Sequence, residues 1–245
     1  MSVSTSRLEL DAGNTFIKWR LRQAGVTLQS GRWLTAEFNA DCLRQCSHSP
    51  ASVWLGSVAG AALNKRLEEA VRECWGVELR QAFTQAQCAG VSNSYSDPSR
   101  MGVDRWLAML AAWQHTRGAC CVVDAGSAIT VDVLDDRGGH QGGYILPGLR
   151  LMQTSLLGRT AEIRVEDALE RVALSPGRST EEAVSHGAHL LMLALAERVD
   201  KGLPGQKGSL PVLVTGGDAE ALLPYLSQAQ HHPDLVLDGL QWMLG

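Results

Sequence analysis

No stretch of this chain approaches the roughly 18 uninterrupted apolar residues of a membrane span, and nothing ahead of Asp11 forms the apolar core of a secretion signal. A cytoplasmic protein with no membrane partner is therefore expected. Runs of Lys or Arg are also missing, and the net charge is -4. Without a basic stripe there is no electrostatic footprint for nucleic acid, so none is expected as a partner. The six cysteines, Cys42, Cys46, Cys74, Cys88, Cys120 and Cys121, contain no C-x-x-C pair. That spacing excludes the usual zinc ribbons and a disulfide framework, and leaves buried or idle thiols. Phe and Tyr number only three each, and six of the seven Trp (Trp19, Trp33, Trp54, Trp106, Trp113 and Trp242) lie mostly in apolar patterns. They read as core or interface rather than as a stacking platform. His186 and His189, three residues apart on a helical stretch, lack a convincing carboxylate partner for a metal and read as structural or interfacial.

What the chain does have is 25 glycines and 45% hydrophobic residues in 245, enough for a full core in one large or two medium domains. One segment organises it. Residues 8–18, LELDAGNTFIK, read as a strand that delivers Asp11, a turn at Gly13, Asn14 and Thr15, and a returning strand carrying Lys18. Gly13 lets backbone amides come close to a ligand, while Asn14 and Thr15 offer donors to phosphate oxygens. Alone, this would be an ordinary turn, because Asp, Gly and Asn are turn residues. Residues 121–132, CVVDAGSAITVD, repeat it with Asp124 standing 113 positions after Asp11. Two such hairpins, half a chain apart, point to two related halves that each present a carboxylate to one cleft.

The remaining pattern predicts a third strand over 26–34, a helix over 37–46, a strand over 52–58, a helix over 61–75 and a strand over 77–83. In the second half it predicts strands over 120–124, 128–134 and 141–146, and helices over 149–157 and 180–200, with Ser179 or Thr180 capping the latter. Residues 1–7 read as a disordered lead-in and 159–179 as a surface crossing. A strand over 210–215 ends in Gly216-Gly217-Asp218 before a helix over 219–226, and a last strand over 234–237 precedes a short terminal helix. Strand and helix alternation of this kind is α/β. Adjacent glycines before a helix let a flat group lie against the main chain and an anion meet its amides.

Together, the two Asp-Ala-Gly hairpins and the Gly-Gly helix start resemble the two phosphate loops and the adenosine loop of the acetate and sugar kinase, heat-shock 70 and actin superfamily. More narrowly, LELDAGNTFIKW, GVDRW (102–106), VVDAGSAITVD, GGYILPGL and VTGGDA, in that order, resemble the type III pantothenate kinases. The resemblance implies an α/β fold of two related ribonuclease H-like, actin-like ATPase domains, 1–117 and 118–245, facing an interdomain cleft. It implies a transferase that phosphorylates pantothenate with ATP to 4'-phosphopantothenate, the first step of coenzyme A biosynthesis.

Carried onto this sequence, ATP binding falls on Asp11, Ala12, Gly13, Asn14, Thr15, Phe16, Ile17, Lys18 and Ser127. Asp11 would hold Mg²⁺ through water, and Asp124 a monovalent cation, K⁺ or NH₄⁺. Ser127 stands where the family usually has threonine, keeping the hydroxyl and losing a methyl. Asp104 matches the family's general base, and Tyr95, Gly102, Val103, Asp104, Arg105 and Thr180 its substrate contacts, with Arg105 suited to a carboxylate. The family is dimeric, and Thr180 would serve the neighbouring subunit's site. The plain alternative for Asp104 is an N-cap on the helix that follows, with Arg105 solvated. Two rival functions stand beside the kinase: a non-catalytic accessory regulator of transcription, and another small-molecule kinase of the superfamily.

Overall fold

The computed structural model describes residues 6–157, 174–206 and 208–245. Two compact units form: residues 1–115 together with 234–245, and residues 116–233.

The first unit starts with an antiparallel meander, β1 (Ser6–Ala12), β2 (Phe16–Gln23) and β3 (Val26–Leu34), with β1 and β2 in register from Ser6↔Gln23 to Ala12↔Ile17. Alternation then sorts the side chains. Leu8, Leu10, Ala12, Ile17, Trp19 and Leu21 enter one apolar core, while Arg7, Glu9 and Asp11 oppose Arg22, Arg20 and Lys18 on the other face. After α1 (Ala40–Leu43), β4 (Ser52–Ser57) joins β1 in parallel; α2 (Ala61–Trp75) then crosses to β5 (Leu79–Gln81). Leu63, Leu67, Ala70 and Val71 of α2 recur at helical spacing and bury against the sheet, each such side chain contributing about 1–3 kcal/mol. Gly76 ends α2 in the left-handed region, its N–H returning to the carbonyl of Arg72. A small hairpin, β6 (Gln87–Cys88) and β7 (Val91–Ser92), precedes α3 (Val103–Thr116).

The second unit repeats the plan with β8 (Cys120–Ala125), β9 (Ala128–Leu134), β10 (His140–Pro147), α4 (Leu149–Leu157), α5 (Thr180–Asp200), β11 (Val212–Thr215), α6 (Ala219–Leu222) and β12 (Ala229–His231). Sheet orders are β3-β2-β1-β4-β5 and β10-β9-β8-β11-β12, the same order when each is numbered from its own first strand. The repeated plan reaches single hydrogen bonds after β1 and β8. Val58 N–H donates to the carbonyl of Ala12 at 3.0 Å, and Asp218 N–H donates to that of Ala125 at 2.8 Å. One difference is local: residues 13–16 separate the pair Ala12↔Ile17, whereas only 126–128 separate Ala125↔Ile129.

Several expectations change. The helix over 37–46 is a 3₁₀ turn, Thr35–Glu37, followed by the single turn of α1. Phe38 breaks it, because extended backbone there lets the ring bury. Ser6 and Arg7 belong to β1, while residues 1–5 and most of the expected surface crossing over 159–179 lie outside the described residues. The strand over 77–83 shrinks to β5, and that over 210–215 to β11. The helix over 219–226 is α6 and a 3₁₀ turn, Leu223–Tyr225. No strand forms over 234–237: the residues open α7 (Leu235–Leu244), whose apolar face continues to Leu240, and the last strand is β12. A three-residue apolar run cannot by itself distinguish the two periods. By its contacts with β1 and β4, α7 belongs to the first unit, whereas a boundary at 117/118 would have put it in the second.

Candidate active site

At the mouth of the first hairpin, Gly13 N–H closes onto the carbonyl of Phe16 at 2.9 Å. Thr35, just past β3, pins the loop: its N–H reaches the carbonyl of Thr15 at 3.0 Å and its hydroxyl that of Gly13 at 2.8 Å. Asn14 and Thr15 are exposed, and Asp11 lies half-buried at the end of β1, in register with Lys18. Ala12 and Ile17 point into the core, so they can offer a ligand only their backbone. Phe16 is half-buried, with the Arg32 guanidinium 4.7 Å from its ring centroid.

Around the second hairpin three glycine segments close on the loop after β8, and two of them, at Gly126 and Gly216, lie against Asp124. Gly126 N–H donates to the carbonyl of Ala128 at 3.0 Å, and Gly148 N–H to that of Ser127 at 3.1 Å. A Cβ on Gly148 would lie 2.1 Å from the carbonyl oxygen of Gly126. Gly216, at φ +99°, is tighter in chemistry: a Cβ there would lie 2.2 Å from the carbonyl oxygen of Ala125 and 2.5 Å from Oδ1 of Asp124. Only glycine fits either place. Gly217 has nothing within 4 Å of its Cβ position, so a ligand can approach its main chain. Asp124 is half-buried, and Ser127 is exposed. Because α6 has only four residues and no side-chain cap bond at Asp218, the helix start supplies close approach more than a dipole.

Between the two hairpins in sequence, Asp97 caps a 3₁₀ turn, Pro98–Arg100, accepting from the N–H and hydroxyl of Ser99. Gly102 then leads into α3, accepting from Trp106 N–H at 3.2 Å. The helix begins at Val103, so Asp104 sits inside its first turn instead of capping it; Oδ1 accepts the N–H of Arg105 at 2.7 Å. A Cβ on Gly102 would fall 2.4 Å from that same oxygen. Arg105 is 5% exposed, not solvated, and donates to the Tyr95 hydroxyl at 2.9 Å. Val103 is buried beside it in sequence, while Thr180 is exposed as the first residue of α5, which Ser179 caps through Glu182 N–H at 3.2 Å.

Within each unit, therefore, the candidates group as the motifs do: Asp11 with Lys18, Gly102 with Asp104, Tyr95 with Arg105, Asp124 with Gly126 and Gly216, and Ser127 with Gly148. Sequence reasoning missed the steric demand at Gly148 and Gly216; a glycine directly after an apolar strand is the signal that could have found it. It also missed two buried clusters of polar side chains. Glu9, fully buried, meets Arg20 at 2.5 Å, and Arg20 reaches Asp238 of α7 at 2.7 Å. His140 meets Asp132 at 3.0 Å, both buried.

Trp19, Trp33, Trp54, Trp106 and Trp113 are buried, and Trp242 is 43% exposed. His186 and His189 each pair with a backbone carbonyl, of Ser175 and Ser185. Burial pushes the Cys46 thiol up to about 11, and burial, followed by Cys120 and Asp132, pushes Cys121 up to about 12. Among the described residues no three His, Cys, Asp or Glu side chains gather as a metal cage. No described helix is long and apolar enough to cross a membrane.

Residues 7–201 match the family model for type III pantothenate kinase. A type III pantothenate kinase of Pseudomonas fluorescens is 38% identical over 241 residues, covering 95% of this chain and 96% of its own. One from Alcanivorax borkumensis is 36% identical over 239 residues, covering 96% of each. Among solved structures, one described as a Baf family transcriptional activator from Campylobacter jejuni aligns with TM-score 0.60 at 20% identity, covering 96% of this chain and 95% of that one. Component A of (R)-2-hydroxyglutaryl-CoA dehydratase from Acidaminococcus fermentans aligns at 0.54 and 15%, covering 98% and 96%. At those identities the two structures speak for the actin-like fold alone.

Proposed function

The chain belongs to the type III pantothenate kinases, and from that premise we propose how its own residues divide the work. It is a transferase that phosphorylates pantothenate with ATP in coenzyme A biosynthesis. The observation that carries the division is the doubled strand, Asp-Ala-Gly and hairpin, with the same strand order behind each copy.

The first hairpin fits a polyphosphate. Asn14 and Thr15 present exposed donors, Thr35 keeps the loop in one shape, and Lys18 adds a cation. A single half-buried carboxylate, Asp11, fits a Mg²⁺ that keeps most of its waters and takes the rest of its ligands from phosphate. When bound, that ion neutralises charge building on the transferred group. Ser127 and the open main chain at Gly217 serve the rest of the nucleotide. Asp124, roofed by Gly216, is the carboxylate that would hold a monovalent cation.

Asp104 receives the proton of the acceptor hydroxyl as its oxygen bonds to the γ-phosphorus and the bond to the ADP oxygen breaks. The bond from Arg105 N–H to Oδ1 holds the carboxylate in place at the start of α3. Gly102 keeps the space beside it clear. Tyr95 and Arg105 brace one another to form the substrate wall, with Val103 and, from a second subunit, Thr180 completing it. The protein works as a cytoplasmic homodimer, without nucleic-acid or membrane partners. Leu190 and Leu191 on α5 and Leu151 and Leu156 on α4 are at least half exposed, and α4 and α5 pack together, which supports these helices as the dimer face.

The test is phosphorylation of pantothenate by purified protein with ATP and Mg²⁺, comparing K⁺ or NH₄⁺ with Na⁺ at equal ionic strength. Product that requires K⁺ or NH₄⁺ is expected, and Asp104→Asn should cut kcat by about 10²–10⁴ with ATP binding intact. No product from folded protein under any cation would turn the reading toward the regulator; near-normal turnover by Asp104→Asn would remove Asp104 from the chemistry.

A further inference from the structure

The meander β1-β2-β3 carries five cations on one face: Arg7, Lys18, Arg20, Arg22 and Arg32. Three of them have partners within the protein. Arg7 and Arg20 meet Glu9 at 2.7 Å and 2.5 Å, and Arg22 donates to the carbonyl of Gly25 at 2.6 Å. Among the described residues, Lys18 and Arg32 form no ion pair and no side-chain hydrogen bond.

These two are also the cations nearest the turn of the first hairpin. Lys18 stands in register with Asp11 on one side and Arg32 on the other, so the three form a row across β1, β2 and β3. Arg32 is exposed, yet its direction is set. Its guanidinium carbon lies 4.7 Å from the ring centroid of Phe16, two positions nearer the turn than its register partner Lys18. The ring face attracts the guanidinium and turns it toward the loop. Phe16 itself closes that loop through its carbonyl, which accepts Gly13 N–H, and Thr35, three residues after Arg32, pins the loop from the end of β3. One strand thus supplies both the pin and a cation.

Like charges directly opposite on neighbouring strands repel, so the Lys18 and Arg32 pair costs the empty protein stability. An anion arriving at the turn reverses that cost, and a guanidinium can take two phosphate oxygens at once. We propose that Arg32 is a second cation for the polyphosphate of the nucleotide, reaching it from β3 as Lys18 does from β2. The proposal rests on the first hairpin being the phosphate site. Arg32 is then a determinant of specificity: it favours a nucleotide by its phosphate charge and adds nothing to binding of the nucleoside.

The experiment measures KM for ATP, KM for pantothenate and kcat, with adenosine tested as a competitive inhibitor. Arg32→Gln should raise KM for ATP about tenfold at low salt, leave kcat, KM for pantothenate and inhibition by adenosine near wild type, and leave the urea midpoint of the empty protein no lower. The difference from wild type should narrow as ionic strength rises, because the contact is exposed. Arg32→Lys should recover most of the loss. A KM for ATP within twofold of wild type in Arg32→Gln, equal losses for ATP and adenosine, or a loss that falls on pantothenate would overturn the proposal. Lys18→Gln separates this from the reading beneath: if it too leaves KM for ATP unchanged, the first hairpin is not the phosphate site and both fall.

Discussion

Arg20→Met tests the buried charges that fasten α7 to the first sheet. Arg20 carries a side chain 4% exposed; it contacts Glu9 at 2.5 Å, Asp238 at 2.7 Å and Asp234 at 3.3 Å. Burial by itself would lower its pKa, but Glu9 and Asp238 outweigh that and the net shift is upward. Methionine fills similar volume without charge and strands Glu9, whose side chain is fully buried. Breaking a buried pair in this way costs about 3–5 kcal/mol. Arg7, 2.7 Å from Glu9 and 23% exposed, partly compensates, so the lower end, about 3 kcal/mol, is expected. For a chain of this size that corresponds to a fall in Tm of about 6–12 °C. All seven Trp lie within 1–115 and 234–245, so tryptophan fluorescence during urea titration reports this unit specifically. The double variant Glu9→Leu/Arg20→Leu should regain much of the loss, because no charge is then left unpaired in the interior. A shift below about 1 kcal/mol in Arg20→Met would refute the reasoning, by showing that Glu9 is satisfied without Arg20.

Gly216→Ala should distort the second hairpin, since its Cβ would meet Ala125 and Asp124 and φ is +99°; nucleotide affinity should fall more than tenfold while the tryptophan-reported transition stays put. Gly217→Ala meets open space and should leave stability near wild type, with any loss confined to ATP binding by calorimetry. The Cys46 thiol, raised by burial from 9.0 to about 11, stays protonated in the folded protein while the unfolded chain ionises. Its stabilising contribution is thus full below pH 9 and is lost as pH rises toward 11, so Cys46→Ala should flatten the fall in stability measured by urea titration across that window. Cys121, raised to about 12 and 2% exposed, should resist a thiol reagent at pH 8 until the protein is unfolded.

Much of the molecule was legible because its signals are local. Period-2 alternation placed β1, β2 and β3, and β3 matches its expected range, 26–34, residue for residue. Helical spacing ending at a glycine placed α2, and a Ser-Thr-Glu-Glu start placed α5. The two Asp-Ala-Gly turns announced themselves by repetition, which single-motif statistics cannot do. Failures fell where local signals compete. At 234–237 the apolar run suited either period, and α7 won because Leu240 and Gly239 continue a face that packs on α3: a Cβ on Gly239 would lie 2.2 Å from the carbonyl oxygen of Leu107. At Asp104 the cap pattern was sound chemistry for a helix, yet the helix starts one residue earlier, at Val103, which leaves the carboxylate in its first turn.

By itself, then, the sequence determined the strand order's ingredients, the pair of carboxylate hairpins and the substrate motif, since each is written in residue type and spacing along one short segment. Tertiary structure alone decided which glycines are sterically obligatory, that Arg105 is buried and bonded to Tyr95, that Arg20 joins β2 to α7, and that a hollow opens beside Gly102. Those facts depend on distances between segments far apart in the chain, and such distances are set by packing, which no local pattern encodes.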